Sequence, residues 1–371
     1  MPALLNIALL AAISGFFIFT LWYTAYRLHV HFNSIPFLVL QIAVAFDVIS
    51  AFVASSMTMR YSNTFVSVLN ILGGWVLLFY VYLFILLTIA HIASAIWKLP
   101  LERSGMTVMA AALIVTTIGA VMGATFFVNE TEVEIPGLEK ELTIMLISDV
   151  HLGHHRGKNY LTKIVEATNS RNPDLVLIAG DLVDAEPALL PGVLEPLSDF
   201  KAPVYFIEGN HEEYMGSQRT LKIVEQQGVR VMRNEMIETN GIQLVGLEYM
   251  KADNDTFDMH PSSKTDTVKS VLGKLSLKND VPTILMHHSP VGALYADAAG
   301  VELMLSGHTH GGQIFPFSLL SKLSFPLNRG MYQHGNTKVF TSVGAGTFMI
   351  RARLGSFNEI NQLKLVPGNL Y

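Results

Sequence analysis

The residues whose types and spacing could do chemistry lie in five short islands in the second half of the chain. They are Asp149-Val150-His151, Gly180-Asp181, Gly209-Asn210-His211-Glu212, His287-His288 and Gly307-His308-Thr309-His310-Gly311-Gly312. Each begins where an apolar run stops, which places its polar residues at the end of a strand. Carboxylate, amide and imidazole donors suit Mn, Fe, Zn or Mg, and in a chain without cysteine no thiolate competes for the ion. One such island would carry little weight; five in a fixed order point to one divalent-metal site.

Asp149 and His151 are two apart in an extended segment, so strand geometry puts them on one face, and a turn can aim both at one ion. Gly180 permits a sharp strand exit before Asp181, whose carboxylate can bridge two cations. Asp184 reads as a local turn or helix-capping residue. Asn210 offers a neutral amide oxygen. His211 beside it cannot easily point at the same ion and is free to face a substrate, while Glu212 fits a supporting or turn role. Neighbours in a strand face opposite sides, so one of His287 and His288 reaches the metal; His288, two before Pro290, is favoured and His287 is the alternate. His308 and His310 share one side of a glycine-flanked turn.

The order DxH, GD, GNHE, H, GHTH resembles the calcineurin-like metallophosphoesterase superfamily. The Gly307–Ile314 string GHTHGGQI is similar to its membrane-associated bacterial phosphodiesterase branch. The resemblance covers roughly residues 140–365. It implies an α/β fold, a four-layer α/β/β/α sandwich, holding two divalent metal ions. Carried over, Asp149, His151, Asp181 and His310 hold the first metal. Asp181 bridges to the second, which Asn210, His288 and His308 complete. Asp181 and His211 are the catalytic residues, with His211 orienting the phosphate or protonating the leaving group.

Two cations about 3.5–4 Å apart can clamp a phosphoryl group and acidify a shared water whose hydroxide attacks phosphorus in line. His211 as general acid would contribute roughly 10²–10⁴-fold in rate. No nucleophile elbow or P-loop points to a covalent route. Amidohydrolases also use HxH, but on their first strand, and here that pair comes last. The expected activity is hydrolysis of a phosphoester, first a phosphodiester of a lipid or nucleotide-linked glycolipid and second a water-soluble phosphoester. The reading from another class is a membrane sensor or transport component whose metal domain binds ligand without turnover.

The elements that must position these residues alternate. Leu142–Ser148, Leu175–Ala179, Val204–Ile207, Val229–Met232, Ile242–Leu247, Thr283–Met286, Val301–Leu305 and Val339–Val343 read as strands. Lys158–Ser170, Ala188–Phe200, Ser217–Gln227 and Thr265–Leu277 read as helices. The pattern predicts a layered α/β domain at residues 141–371, with function at the carboxyl ends of its strands. A polar insertion, about Lys251–Lys264, reads as a surface loop, and Ile314–Leu327 reads either as an interfacial element or as a loop packed on the domain's core.

Residues 1–128 hold only Arg27, Arg60, Lys98, Arg103, Asp47 and Glu102, a net of +2 in a chain of 371 residues and net charge −5. This part is expected to be an all-α bundle of four transmembrane helices at about Ala3–Tyr23, Ile35–Ser55, Val66–Trp97 and Thr107–Val128, joined to the domain by a charged linker at 129–140. Arg27, Lys98 and Arg103 in the first and third connections, against Arg60 in the second, place the catalytic domain outside the cytoplasmic membrane. Asp47 and His91 lie within spans, where interface placement or hydrogen bonding inside the bundle is the expectation. Mild acidity gives no support for nucleic-acid binding.

Overall fold

The computed structural model describes residues 2–58, 61–98, 105–256, 260 and 262–368, with the side chains of 2–11 and 13 excepted. Two compact units divide the chain, Met1–Val121 and Met122–Tyr371.

The first unit is helical: α1 (Pro2–His31), α2 (Phe37–Met57), α3 (Thr64–Trp97) and α4 (Gly105–Met122). Among the described residues α2, α3 and α4 are long and apolar enough to cross a membrane. The span expected at Ala3–Tyr23 falls within α1, and its first part lies outside the residues described at side-chain level. Asn63 caps α3 by accepting from the Val66 N–H at 3.0 Å. His91 meets the Tyr23 hydroxyl at 2.9 Å, the bundle hydrogen bond expected of an intramembrane imidazole, and Asp47 is exposed on α2. Arg60 and Arg103, on which the orientation argument rests, lie outside the described residues.

The second unit opens earlier than expected. Residues placed in a linker form most of β1 (Phe126–Pro136), which pairs in parallel along its whole length with β12 (Asn358–Gly368). The charges of Asn129-Glu-Thr-Glu that read as a connector are the exposed side of an edge strand, while Val133 and Ile135 are buried. The expected fourth span, Thr107–Val128, ends at Met122, so only residues 123–125 separate α4 from β1 in the chain.

Two six-stranded sheets follow. The first runs β1-β12-β2-β3-β4-β5, with β2 (Leu142–Ile147), β3 (Leu175–Ala179), β4 (Val204–Ile207) and β5 (Arg230–Val231). The second runs β10-β11-β9-β8-β7-β6, with β6 (Glu235–Thr239), β7 (Ile242–Gly246), β8 (Thr283–Met286), β9 (Leu303–Ser306), β10 (Gly330–His334) and β11 (Thr337–Thr341). β2 to β5 are parallel, as are β7, β8, β9 and β11, so each sheet collects carboxyl ends on one edge.

Strand alternation builds the layers. Ile144, Leu146, Leu175 and Leu177 face Leu244, Ile284, Met286, Leu303 and Leu305 in one core between the sheets. The intervening Met145, Ile147, Val176 and Ile178 pack outward with Leu161, Ile164 and Val165 of α5 (Lys158–Asn169) and Leu221 and Val224 of α7 (Ser217–Glu225). Leu285, Met304 and Val339 pack outward on the other side with α8 (Val268–Leu272) and α9 (Ala293–Ala298). The result is the four-layer α/β/β/α sandwich. The remaining helices are α6 (Asn210–Tyr214) and α10 (Phe317–Ser324).

Two helix expectations fail locally. Ala188–Phe200 is two 3-10 turns, Glu186–Leu189 and Glu195–Asp199, because Pro191, Gly192 and Pro196 interrupt it. Thr265–Leu277 shrinks to the five residues of α8, with Gly273 as its C-cap.

Candidate metal centre

The ligand-bearing segments are brought together by ladders that continue past the named strands. Beyond β2 and β3 the Asp149 N–H donates to Gly180 O at 3.0 Å, His151 N–H to Asp181 O at 3.0 Å and Leu152 N–H to Leu182 O at 2.9 Å. In the second sheet His287 N–H donates to Leu305 O at 3.2 Å and Gly307 N–H to His288 O at 2.8 Å. Buried Val150 and Leu152 hold the first extension in the core while their polar neighbours turn to the site.

The backbone is strained at the candidate ligands. Asp149, His151, Asp181, His308 and His310, five of the seven expected ligands, have φ between 50° and 73°. Left-handed backbone at non-glycine residues costs of order 1–3 kcal/mol each and persists only where surrounding structure enforces it. Close approach adds to this: a Cβ on Gly209 would stand 2.1 Å from Asp181 Oδ1, so the tight turn before Asn210 requires glycine.

The donors form two adjoining groups. Those of Asp149, His151 and His310 lie within 4.8 Å of one another, as do those of Asp181, His288 and His308. Asp181 Oδ2 faces both, 3.8 Å from His151 Nε2 and 3.1 Å from His288 Nε2. Asn210 Oδ1 stands 3.0 Å from His308 Nδ1 and joins the second group. His151 Nε2 and His310 Nε2 face each other at 3.0 Å, and Asp149 Oδ1 is 3.6 Å from the latter. Two imidazole nitrogens converging beside buried carboxylates are a donor set that fits a divalent cation. Of the adjacent pair, His288 enters the site; its Nδ1 meets Ala179 O at 2.7 Å, which leaves Nε2 as the donor atom. His287 turns away, its Nδ1 on Ser289 O at 2.7 Å and its ring stacked on Tyr249.

Supporting contacts fix the carboxylates. His308 N–H donates to both Asp149 oxygens, at 2.9 and 3.1 Å, and His211 N–H to Asp181 Oδ1 at 2.9 Å. Glu212 accepts from three backbone N–H groups, those of Gly209 at 2.7 Å and of Asp181 and Val183 at 2.9 Å, which is the supporting role expected of it. Burial opposes ionisation of Asp181, but the neighbouring His288 and His211 outweigh it and hold the carboxyl well below the usual range.

Asp184 departs from its reading as a turn residue. Its Oδ1 stands 2.6 Å from His211 Nδ1 and 3.6 Å from His151 Nδ1. Burial pushes the His211 imidazole down, yet the Asp181 carboxylate and the Asp184 hydrogen bond lift it to about 9, so the ring carries its proton at neutral pH. A second residue without a sequence signal is Arg353, fully buried behind the site. Its guanidinium donates to His310 O at 2.9 Å, to Gly346 O at 2.8 Å and to Val343 O.

The centre opens into a cavity of about 650 Å³. Asp181, Asn210, His211, His308 and His310 form its floor; Phe317, Leu320, Phe325 and Phe348 are among its walls. Gln313, from the GHTHGGQI string, holds one wall in place: its amide donates to Phe348 O and Ile350 O at 3.0 and 3.1 Å and its oxygen accepts from Phe348 N–H at 2.7 Å. The Lys251–Lys264 segment also reaches the cavity through His260, whose ring lies 4.9 Å from His308; residues 257–259 and 261 within it are outside the described set.

Comparison with known proteins agrees with this geometry. The sequence profile described as "calcineurin-like phosphoesterase" matches residues 142–312. An "uncharacterized metallophosphoesterase" of Aquifex aeolicus is 31% identical over 234 residues, 60% of this chain and 86% of that one. The chain belongs to the calcineurin-like phosphoesterase family. An "uncharacterized metallophosphoesterase" of Helicobacter pylori strain J99 is 36% identical over 248 residues, 65% of this calcineurin-like chain and 64% of the relative. A Danio rerio "transmembrane protein with metallophosphoesterase domain" is 32% identical over 276 residues, 68% of this chain and 62% of the relative. The match therefore spans less than two thirds of these last two relatives.

Proposed function

We propose that this calcineurin-like protein is a membrane-anchored hydrolase of phosphodiesters that works with two divalent cations. The observation that carries the reading is Asp181 Oδ2, which faces both donor groups from one position at the floor of an open cavity. Asp149, His151 and His310 would hold one cation, Asn210, His288 and His308 the other, and Asp181 both. Cations held there would supply Lewis-acid charge to the phosphoryl oxygens and would acidify an attacking water.

The chain's own residues do the rest. His211, held by Asp184, presents Nε2 toward the site, 4.0 Å from Asp181 Oδ2, where it can give a proton to the leaving oxygen. The His211 N–H holds the Asp181 carboxylate in orientation, and Glu212 holds the backbone that carries it. Among the described residues that line the cavity there is no arginine or lysine. A phosphomonoester dianion ordinarily calls for such a cationic clamp, so the wall favours a phosphodiester with its single charge.

α2, α3 and α4 would anchor the chain in the cytoplasmic membrane. The placement of Arg27, Lys98 and Arg103 against Arg60 supports an extracytoplasmic catalytic unit. The test is hydrolysis of an aryl phosphodiester by purified full-length protein, stripped of metal and refilled with Mn²⁺. Metal-dependent turnover is expected, and its absence under each of Mn²⁺, Fe²⁺, Zn²⁺ and Mg²⁺ would overturn the reading.

A further inference from the structure

Helix α10 is apolar on opposite faces. Phe317, Leu320, Ser321 and Ser324 recur at helical spacing and line the cavity. Leu319 and Leu323, four apart, point the other way, 55% and 80% exposed. None of the eight residues of α10 is buried. The contrast is with α5 and α7, which bury their apolar faces against the first sheet. Nor is α10 a loosely held loop: a Cβ on Gly312 would stand 2.3 Å from Ser318 Cα, so the helix is seated on the metal-binding turn itself. Phe315 and Met349 extend the exposed apolar surface beside it.

A face of this kind in water is unfavourable and marks an interaction surface. Lys322 stands on the outer side beside Leu323 and is exposed, an arrangement that suits an interfacial helix with its cation among anionic head groups. The same chain carries three helices long and apolar enough for a membrane, with only residues 123–125 between the last of them and β1. A bilayer is the surface whose chemistry fits this face.

Resting on the hydrolase reading above, we infer that α10 is an interfacial helix through which the site draws a lipid phosphodiester. Leu319 and Leu323 sit in the membrane surface, and the acyl part of the substrate lies along Phe317, Leu320 and Phe348 while its phosphate reaches the floor of the cavity. The substrate class follows: an amphiphile with a phosphodiester close to its apolar chains.

The test uses full-length protein in lipid nanodiscs, unmodified and as Leu319→Glu/Leu323→Glu. Two substrates are compared, a water-soluble aryl phosphodiester and a long-chain phospholipid in the disc. The double substitution is expected to leave aryl turnover within about twofold and to lower lipid turnover roughly tenfold or more, since two seated leucines are lost. Unchanged lipid turnover in the variant, or no lipid turnover by an unmodified protein that cleaves the aryl diester, overturns the inference and leaves the hydrolase reading standing. Failure of the unmodified protein on the aryl diester overturns the hydrolase reading instead.

A second readout is independent of activity. The chain has no cysteine, so a nitroxide at Leu323→Cys is a unique label. In nanodiscs it is expected to collide with oxygen more than with a water-soluble nickel chelate, the reverse of a label at the exposed Lys274→Cys. Preferential nickel access at both positions, or occlusion of position 323 from both probes by a second copy of the chain, contradicts membrane seating.

Discussion

His211 Nδ1 lies 2.6 Å from Asp184 Oδ1, and the same oxygen stands 3.6 Å from Nδ1 of His151. One carboxylate thus orients both His211, the proposed proton donor, and His151, a proposed metal ligand, whose rings meet edge to face at 4.7 Å. A cation on Asp181 would cancel much of the field that Asp181 imposes on His211. Asp184 is then the group that keeps the proton on that ring and the ring in place.

Asp184→Asn is expected to lower turnover about ten- to a hundredfold through this loss of orientation. His211→Ala is expected to lower it by roughly 10²–10⁴ while the metal content is unchanged. If the two residues act as a unit, the double substitution costs no more than His211→Ala alone. Steady-state kinetics with metal analysis on all three variants checks this; additive losses would separate Asp184 from His211.

Glu212 gives a second prediction, on stability. Removing its carboxylate in Glu212→Ala leaves the buried N–H groups of Gly209, Asp181 and Val183 without their acceptor. Each unsatisfied donor costs about 1–3 kcal/mol, a large fraction of a typical domain's total of about 5–15 kcal/mol. Thermal unfolding should show a fall in Tm well beyond that of a surface glutamate such as Glu225, and Glu212→Gln should fall between them. Unchanged unfolding in Glu212→Ala would mean that these donors find other partners.

Arg353 supports the site from behind. Its guanidinium gathers carbonyl oxygens of His310, Val343 and Gly346 at the last of the proposed metal-binding turns and the loop that follows β11. Arg353→Lys is expected to fail nearly as badly as Arg353→Met, because a single ammonium cannot reproduce a planar fork of donors. Metal affinity measured by competition with a chelator is expected to fall in both. Full rescue by lysine would show that charge alone matters there.

Much of this arrangement was legible from strand ends and residue chemistry. Leu175–Ala179, Val204–Ile207 and Thr283–Met286 have the bounds expected of them because each is a short apolar run closed by polar residues. The structure brings together all seven expected donors; strand alternation said that one of His287 and His288 would enter the site, and His288, the favoured one, does. The rest lay in features that local pattern does not carry. β1 was hidden because an exposed edge strand can be as charged as a linker, and only its partner β12, more than two hundred residues away, reveals it. Asp184 looked like a cap because its two histidine contacts come from other segments. Arg353 went unread because its acceptors are backbone carbonyls, which have no sequence signature. The left-handed backbone at Asp149 and Asp181 is equally silent in residue type, since tertiary packing enforces it.

The central claim is that two cations share Asp181. The most direct measurement is metal content and aryl phosphodiester turnover on the same samples of full-length protein and Asp181→Ala, after metal stripping and titration with Mn²⁺. The account predicts turnover that rises to a plateau at two equivalents of Mn²⁺ in the unmodified protein, with both tight binding and turnover lost in Asp181→Ala and its unfolding transition still cooperative. Two equivalents bound without turnover in the unmodified protein, or most of the activity retained in Asp181→Ala, would contradict it.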